Sequence, residues 1–422
     1  MKVQTVKGTA DLLPEQQAAW SQVLDAVTGV LGRAGSGRID TPIFEYAELF
    51  ERSVGDSADI VVQKEMYTFD DRGGRRLALR PEFTASVMRS FIEHGMHTRP
   101  SPVKLWSAGP LFRAENVQRG RYRQFHQVNC EIIGSATPLA DAESIWLMSA
   151  CFRAAGIERF EMKIGSVGDP ADRAAYNDYL RTALAPDADK LTPVSQERLR
   201  LNPMRLLDAK DAGDQKLLAA LDRPLARLGE ESRAYFEAVK AYLDDWGMPY
   251  VIDPGIVRGL DYYRRTAFEA HYPGIGAQSA LGGGGRYDGL IANLGGPDLP
   301  GVGWAFGIER VLAAIEAEGA LRQGEQDRPA LFIVPLDDSA VAEGAAAASR
   351  LRASLRVEFA YQRRNPGKGL KDADRSGARF AALRGEQERE RGVWLLKNLA
   401  SGEQSEVSDA DFTVDGLAHL LT

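Results

Sequence analysis

The apolar positions along the chain change period several times, and each change marks a predicted element. Between residues 14 and 32, Trp20, Val23, Leu24, Val27 and Leu31 recur at three- and four-residue intervals, the spacing of one buried helix face. The run Arg38-Ile-Asp-Thr-Pro-Ile-Phe-Glu45 then alternates, which predicts an extended segment with Pro42 at a sheet edge or a strand end. Short apolar runs at 66–69, 76–79 and 103–106 predict strands of an antiparallel sheet, with an amphipathic helix at 84–94 between them. From about 169 to 245 the chain turns rich in Ala, Leu, Arg and Asp, with helical periodicity and few strand signals, the pattern of a mainly helical insertion. Strand character returns at 250–257 and 266–270, before a glycine-rich run at 281–290 and a helix at 305–318. A polar linker at 321–328 leads into Ala330-Leu-Phe-Ile-Val-Pro335, an Ala-rich helix at 339–354 and further alternation at 379–383 and 392–396. The expected fold is an α+β domain over 1–320, built on an antiparallel sheet with helices and carrying the helical insertion, followed by a separate α/β domain over 329–422.

Composition narrows the functional classes. The chain has 422 residues, 44% hydrophobic and 26% charged, which is ordinary globular usage. Cys130 and Cys151 are the two cysteines and form no Cys-x-x-Cys pair, so neither a disulfide framework nor a structural zinc site is expected. The histidines (His94, His97, His126, His271 and His419) show no metal-ligand spacing; no metal site made by protein side chains is predicted, and His94 and His126 read as packing or hydrogen-bonding residues. The opening stretch has no apolar core of a secretory signal, and no stretch approaches the roughly 18 apolar residues that span a membrane. That is the pattern of a soluble cytoplasmic protein. A net charge of −7 argues at first sight against a nucleic-acid partner. Residues 350–379 reverse that inference: nine Lys or Arg stand there against Glu358, Asp372 and Asp374, and patch charge is what a phosphate backbone meets.

The densest chemical signal is Phe112-Arg-Ala-Glu-Asn-Val-Gln-Arg-Gly-Arg-Tyr-Arg-Gln-Phe-His-Gln-Val-Asn-Cys-Glu131. Arg113, Arg119, Arg121 and Arg123 crowd a loop between two strand-like arms, a hairpin that can present guanidinium forks to phosphate. Tyr122 and Phe125 offer faces for stacking a base, and Gln127 shares strand parity with Glu131. In Leu79-Arg-Pro-Glu-Phe-Thr84, a carboxylate and a hydroxyl open a helix, which also fits simple capping. Val257-Arg-Gly-Leu-Asp-Tyr-Tyr-Arg-Arg-Thr266 sets Arg258 beside Gly259 and two tyrosines. Leu281-Gly-Gly-Gly-Gly-Arg-Tyr-Asp-Gly-Leu290 permits close backbone approach by a ligand, or marks a turn or bulge. Gly301-Val-Gly-Trp-Ala-Phe-Gly-Ile-Glu-Arg310 brings Arg310 into the start of a helix.

Together these segments resemble class II aminoacyl-tRNA synthetases, and among them the histidyl-tRNA synthetase family. The strand ending at Pro42 resembles the family's first motif, a dimer-interface element. Residues 112–131 resemble the second motif and 301–310 the third. Arg258-Gly-Leu-Asp-Tyr-Tyr263 and the glycine-rich run resemble segments particular to the histidine enzymes. Lys7-Gly-Thr-Ala-Asp-Leu-Leu-Pro14 matches the family opening, and Lys368-Gly-Leu-Lys-Asp-Ala-Asp-Arg-Ser-Gly-Ala378 resembles its anticodon-binding domain.

What the resemblance implies is specific. Glu82, Thr84 and Gln127 would hold the α-amino group of histidine, with Phe83 between them where the family usually has Gly. Glu131 and Tyr263 would contact the imidazole nitrogens, with Tyr262 beside them. Arg113 and Arg258 would be the catalytic residues, binding the α-phosphate and the reacting carboxylate. Arg121 and Arg310 would hold the outer phosphates or the adenine face of ATP, and Phe125 would stack on adenine. Gln118 and Arg119 would reach the tRNA acceptor end, in a loop that reads Glu115-Asn-Val-Gln118 where the family usually has Glu-Arg-Pro-Gln. ATP as substrate, Mg²⁺ on its phosphates, L-histidine, a histidine tRNA and a homodimer without membrane association complete the expectation. The rival is a histidine-binding regulatory paralogue that supports an ATP phosphoribosyltransferase without charging tRNA; such paralogues generally lack the anticodon-binding domain.

Overall fold

The structure, a computed structural model, describes residues 3–54, 65–116, 121–256, 263–275, 279–322 and 328–421. Two compact units divide the chain, Met1–Arg322 and Gln323–Thr422. The first contains β1 (Gly37–Arg38), β2 (Phe44–Tyr46), β3 (Thr68–Asp70), β4 (Arg76–Leu79), β5 (Val103–Phe112), β6 (Gln124–Ile133), β7 (Glu161–Ser166), β8 (Val251–Ile252), β9 (Arg264–His271), β10 (Ala280–Arg286) and β11 (Gly301–Gly307). Eight of these strands form one sheet in the order β1-β5-β6-β11-β10-β9-β7-β8. Its pairings are antiparallel except at the two edges, where β1 runs parallel to β5 and β8 parallel to β7.

The extended segment expected at 38–45 is two strands in two sheets. Gly37–Arg38 joins the main sheet, whereas β2 pairs with β4 in a three-stranded sheet ordered β2-β4-β3. The cause is local. Pro42 has no N–H to donate to a ladder, and the buried Arg80 guanidinium takes the Thr41 carbonyl at 2.7 Å and the Pro42 carbonyl at 3.4 Å. The strands expected at 66–69 and 76–79 also belong to this small sheet, not to the main one. The glycine run is β10, in the interior of the main sheet: Gly282 and Gly283 line a pocket, the register breaks between Gly285 and Arg286, and a Cβ at Gly284 would collide with the backbone of Gly303 and Trp304.

Alternation along β6 decides which side of the sheet does what, because successive side chains point to opposite faces. Val128, Cys130 and Ile132 pack with Val302, Trp304 and Phe306 of β11 in the large apolar core. Helices Pro14–Arg33, Pro138–Ala155 and Ile308–Glu318 close that core through Val23, Val27, Leu31, Ile145, Phe152, Val311 and Ile315. The other parity of β6, Phe125, Gln127, Asn129 and Glu131, lines a pocket. Between Pro170 and Asp245 lie helices Pro170–Leu184, Pro193–Leu201, Ala212–Leu218 and Glu230–Asp245, with no strand among the described residues there.

The second unit carries β12 (Leu331–Pro335), β13 (Val357–Phe359), β14 (Phe380–Arg384), β15 (Val393–Asn398) and β16 (Gln404–Ser408), ordered β13-β12-β14-β15-β16. β12 is parallel to β13 and β14, and the last two strands add antiparallel. The buried run Leu331–Pro335 serves two apolar clusters, one with Ala347 and Leu351 of helix Asp338–Leu351, the other with Ala373 of helix Pro366–Arg375. A strand buried on both faces reads as a continuous apolar run. No described helix is long and apolar enough to cross a membrane.

Candidate active site

A pocket of about 440 Å³ opens on the β6–β11–β10 face. Two clusters of side chains line it, and they differ in chemistry. The first is built around Glu131, which is 1% exposed. Its Oε1 accepts from the Thr84 hydroxyl at 2.8 Å and from Asn129 Nδ2 at 3.0 Å, and its Oε2 accepts from the Tyr287 hydroxyl at 2.5 Å. A carboxylate offers about four acceptor positions, so counted over the described residues one remains. β11 runs beside Glu131 with Gly303 in register, and a Cβ at 303 would collide with Glu131 Oε2. The absence of a side chain there is therefore a requirement of the site. Burial pushes the Glu131 pKa up to about 7, against the hydrogen bonds from Tyr287, Thr84 and Asn129 that favour the ionised form. Tyr263 joins this cluster against Gly285, where a Cβ would come within 2.7 Å of its ring.

Glu82 and Thr84 open helix Thr84–Glu93 with a division of labour. Glu82 accepts the Ala85 N–H at 2.8 Å, so capping does account for part of its role, while Thr84 turns to Glu131. Burial raises the Glu82 pKa too, opposed by hydrogen bonds from Ala85 and Thr84 and by the charge of Arg113. Phe83 is 2% exposed and packs with Val87, Leu105 and Tyr287, with the Arg80 guanidinium 4.5 Å from its ring centre. It is a wall of the pocket anchored in the core.

The second cluster is cationic. Arg113 lies 5.2 Å from the centre of the Phe125 ring and donates to the Pro81 carbonyl at 3.0 Å. Arg121 pairs with Glu115 at 3.2 Å, and Arg310 donates to the Ala280 carbonyl at 2.7 Å. Burial lowers the Arg310 pKa, and Arg121 and Arg113 add to the effect. Arg121 and Arg113 both repel Arg310, Glu115 and Glu269 offset part of that repulsion, and an incoming phosphate would relieve the rest.

The structure thus gathers Glu82, Phe83, Thr84, Arg113, Arg121, Phe125, Gln127, Glu131, Tyr263 and Arg310 in one pocket. Gln118, Arg119, Arg258 and Tyr262 lie outside the described residues. His126 is engaged in hydrogen bonding and packing: its Nδ1 lies 2.9 Å from Glu309 Oε1, and its ring meets the edge of Trp20. Sequence reasoning missed Asn129, Tyr287 and Gly303. Asn129 was available from strand parity between Gln127 and Glu131. Tyr287 and Gly303 required knowing that β10 and β11 are neighbours of β6. Among the described residues no group of three His, Cys, Asp or Glu side chains could hold a metal ion.

Comparison with known proteins gives the same picture. A family profile described as Histidyl-tRNA synthetase matches residues 8–311, and one described as Anticodon binding domain matches 330–414. The chain is 52% identical over 410 residues to a histidine–tRNA ligase of Thermus thermophilus, covering 97% of each chain. It is 52% identical over 421 residues to one of Deinococcus radiodurans, covering 96% of this chain and 98% of that one. Its fold matches the solved apo histidyl-tRNA synthetase of S. aureus with a TM-score of 0.82 at 36% identity, over the whole of both chains. The chain belongs to the histidyl-tRNA synthetase family.

Proposed function

We propose that the chain activates L-histidine with ATP, giving histidyl-adenylate and pyrophosphate, and transfers the histidyl group to the 3′ end of its tRNA. The observation that carries the reading is the remaining acceptor position, counted over the described residues, of the buried Glu131 carboxylate, in one pocket with Tyr263, Arg113, Arg121 and Arg310. A buried acceptor of this kind selects a ligand N–H, because an analogue without one leaves the carboxylate unpaired. Imidazole meets that demand. Glu82, Thr84 and Gln127 hold the α-amino group, and Phe83 closes the wall behind them.

Adenylate formation needs the histidine carboxylate and the α-phosphorus brought together, and negative charge on the phosphate stabilised as the bond to pyrophosphate breaks. Positioning and fixed positive charge supply this without a general base. Arg113 serves the α-phosphate and Phe125 the adenine ring, while Arg121 and Arg310 serve the outer phosphates; Arg258 is assigned to the reacting carboxylate, and Gln118 and Arg119 to the acceptor end, by family resemblance. Mg²⁺ would supply neutralisation of phosphate charge when bound. Tyr262 is assigned a place beside the imidazole by the same family resemblance.

The functional boundaries follow from the same reading: a synthetic domain over 1–320 with its helical insertion at about 169–245, a linker at 321–328, and an anticodon-binding domain over 329–422. The tRNA-charging role supports a cytoplasmic location. A homodimer is supported by the three-stranded sheet, whose Phe44, Tyr46 and Phe69 are 54%, 55% and 44% exposed, a large apolar surface for a monomer to leave in water. The regulatory-paralogue alternative is not favoured, because the second unit matches an anticodon-binding profile. Histidine-dependent ATP–pyrophosphate exchange, followed by charging of tRNA, tests the proposal. Exchange with histidine and with no other amino acid is expected; a folded protein without histidine-dependent exchange contradicts it.

A further inference from the structure

β9 and β10 pair through a break in register. Gly285 faces Ala267 and Arg286 faces Arg264, so Arg265 and Thr266 are extra residues on β9 with no counterpart on β10. Arg265 sits at φ 52°, the one positive-φ non-glycine among the described residues. An L side chain there is strained, and such strain persists only where its surroundings hold it. The bulge adjoins Tyr263, and the strand opposite it runs directly into Tyr287. Tyr263 and Tyr287 of the pocket therefore leave the sheet at one irregularity, and bulges re-aim the side chains next to them.

The bulge is held from behind. From the helical region, Arg173 of helix Pro170–Leu184 donates to the Tyr263 carbonyl at 3.0 Å. From helix Glu230–Asp245, Tyr235 lies under the Arg265 guanidinium at 4.5 Å, and Glu231 pairs with Arg265 at 2.7 Å. The backbone of Arg265 is tied on both sides, its N–H to the Gly168 carbonyl at 2.7 Å and its carbonyl to the Val167 N–H at 2.8 Å. From the core, Arg286 and Asp141, both 0% exposed, pair at 2.5 Å. The Thr266 and Tyr235 hydroxyls face that carboxylate without closing a well-aligned hydrogen bond.

We propose that this braced bulge is a positioning device for the histidine side chain, through which the helical region sets the aim of Tyr263 and Tyr287 without touching substrate. The inference rests on the histidine pocket proposed above. Arg265, Tyr235 and Arg173 are then positioning residues, and selection of histidine depends in part on helices remote from it.

Arg265→Gly separates positioning from mere structure, because glycine removes the brace and the strain together. In pyrophosphate exchange the variant should raise the histidine KM about tenfold or more, as expected for a misaimed contact. Its ATP KM should stay within about twofold and its melting temperature should match or exceed the parent's, glycine being at ease at positive φ. Arg173→Met, which removes the donor to the Tyr263 carbonyl, should move the histidine KM in the same direction by about threefold and keeps the test open if the glycine variant does not fold. Unchanged histidine KM in both variants, or equal rises for histidine and ATP, would overturn the inference. Absence of histidine-dependent exchange in the parent would instead overturn the pocket reading on which it stands, and the inference with it.

Discussion

Two carboxylates of the first unit are withdrawn from water, Glu131 at 1% and Asp141 at 0% exposure, and they solve the same problem differently. Burial raises the pKa of both. Asp141 meets the Arg286 guanidinium, whose remaining N–H groups go to Asp288 and to the Ser135 and Thr137 carbonyls. Its charge is neutralised within the chain. Among the described residues Glu131 has neutral hydrogen-bond donors alone, and the nearby Glu82 charge raises its pKa further. A counter-ion makes a buried carboxylate a structural joint; neutral dipoles leave it a charge with binding capacity unspent. The second arrangement is the more costly in folding and the more useful to a ligand.

Removing either charge should therefore have opposite consequences. The larger effect on stability is expected for Asp141→Asn, which leaves Arg286 buried with one carboxylate partner. Breaking such a pair from one side costs about 3–5 kcal/mol, readable as a lower urea midpoint. A loss under about 1 kcal/mol, the range of an exposed pair, would make the two carboxylates equivalent after all. The smaller effect is a pH dependence. Glu131 titrates near 7 in the folded chain against an ordinary 4.5. Between those values the folded state binds more proton than the unfolded one, so its contribution to stability is present below that window and is lost as pH rises through 7. Glu131→Gln carries no such titration. Its melting temperature should gain on the parent's between pH 5 and pH 8, and a gap that does not change with pH would contradict the neutral-donor description.

Much of the architecture was legible in residue order, and the reason is periodicity. The helix at 14–32, the hairpin arms around Arg113 and Phe125, the helical region and the α/β tail each announce themselves within a dozen residues. What was not legible depends on pairing between distant segments. Nothing in 38–45 says that Arg80 will take the Thr41 and Pro42 carbonyls and split the strand. The glycines of 282–285 read locally as a place of close ligand approach, a turn or a bulge, and not as an interior strand, because their crowding comes from β11 and from Tyr263. The site follows the same rule. Glu131 and its parity partner Gln127 were visible along one strand, and Tyr263 through its motif, whereas Tyr287 and the vacant Cβ of Gly303 belong to neighbours that only the folded sheet supplies.

The most direct test is the ratio of kcat/KM for histidine to that for thienylalanine, a ring analogue without N–H, measured by pyrophosphate exchange in the parent and in Glu131→Gln. The parent should favour histidine by about 10⁴, as expected for a buried polar group left unpaired by the analogue. In the variant that preference should fall at least about a hundredfold, chiefly through loss of histidine activation. A Glu131→Gln protein that still prefers histidine by the parent's margin would show that the imidazole is read elsewhere.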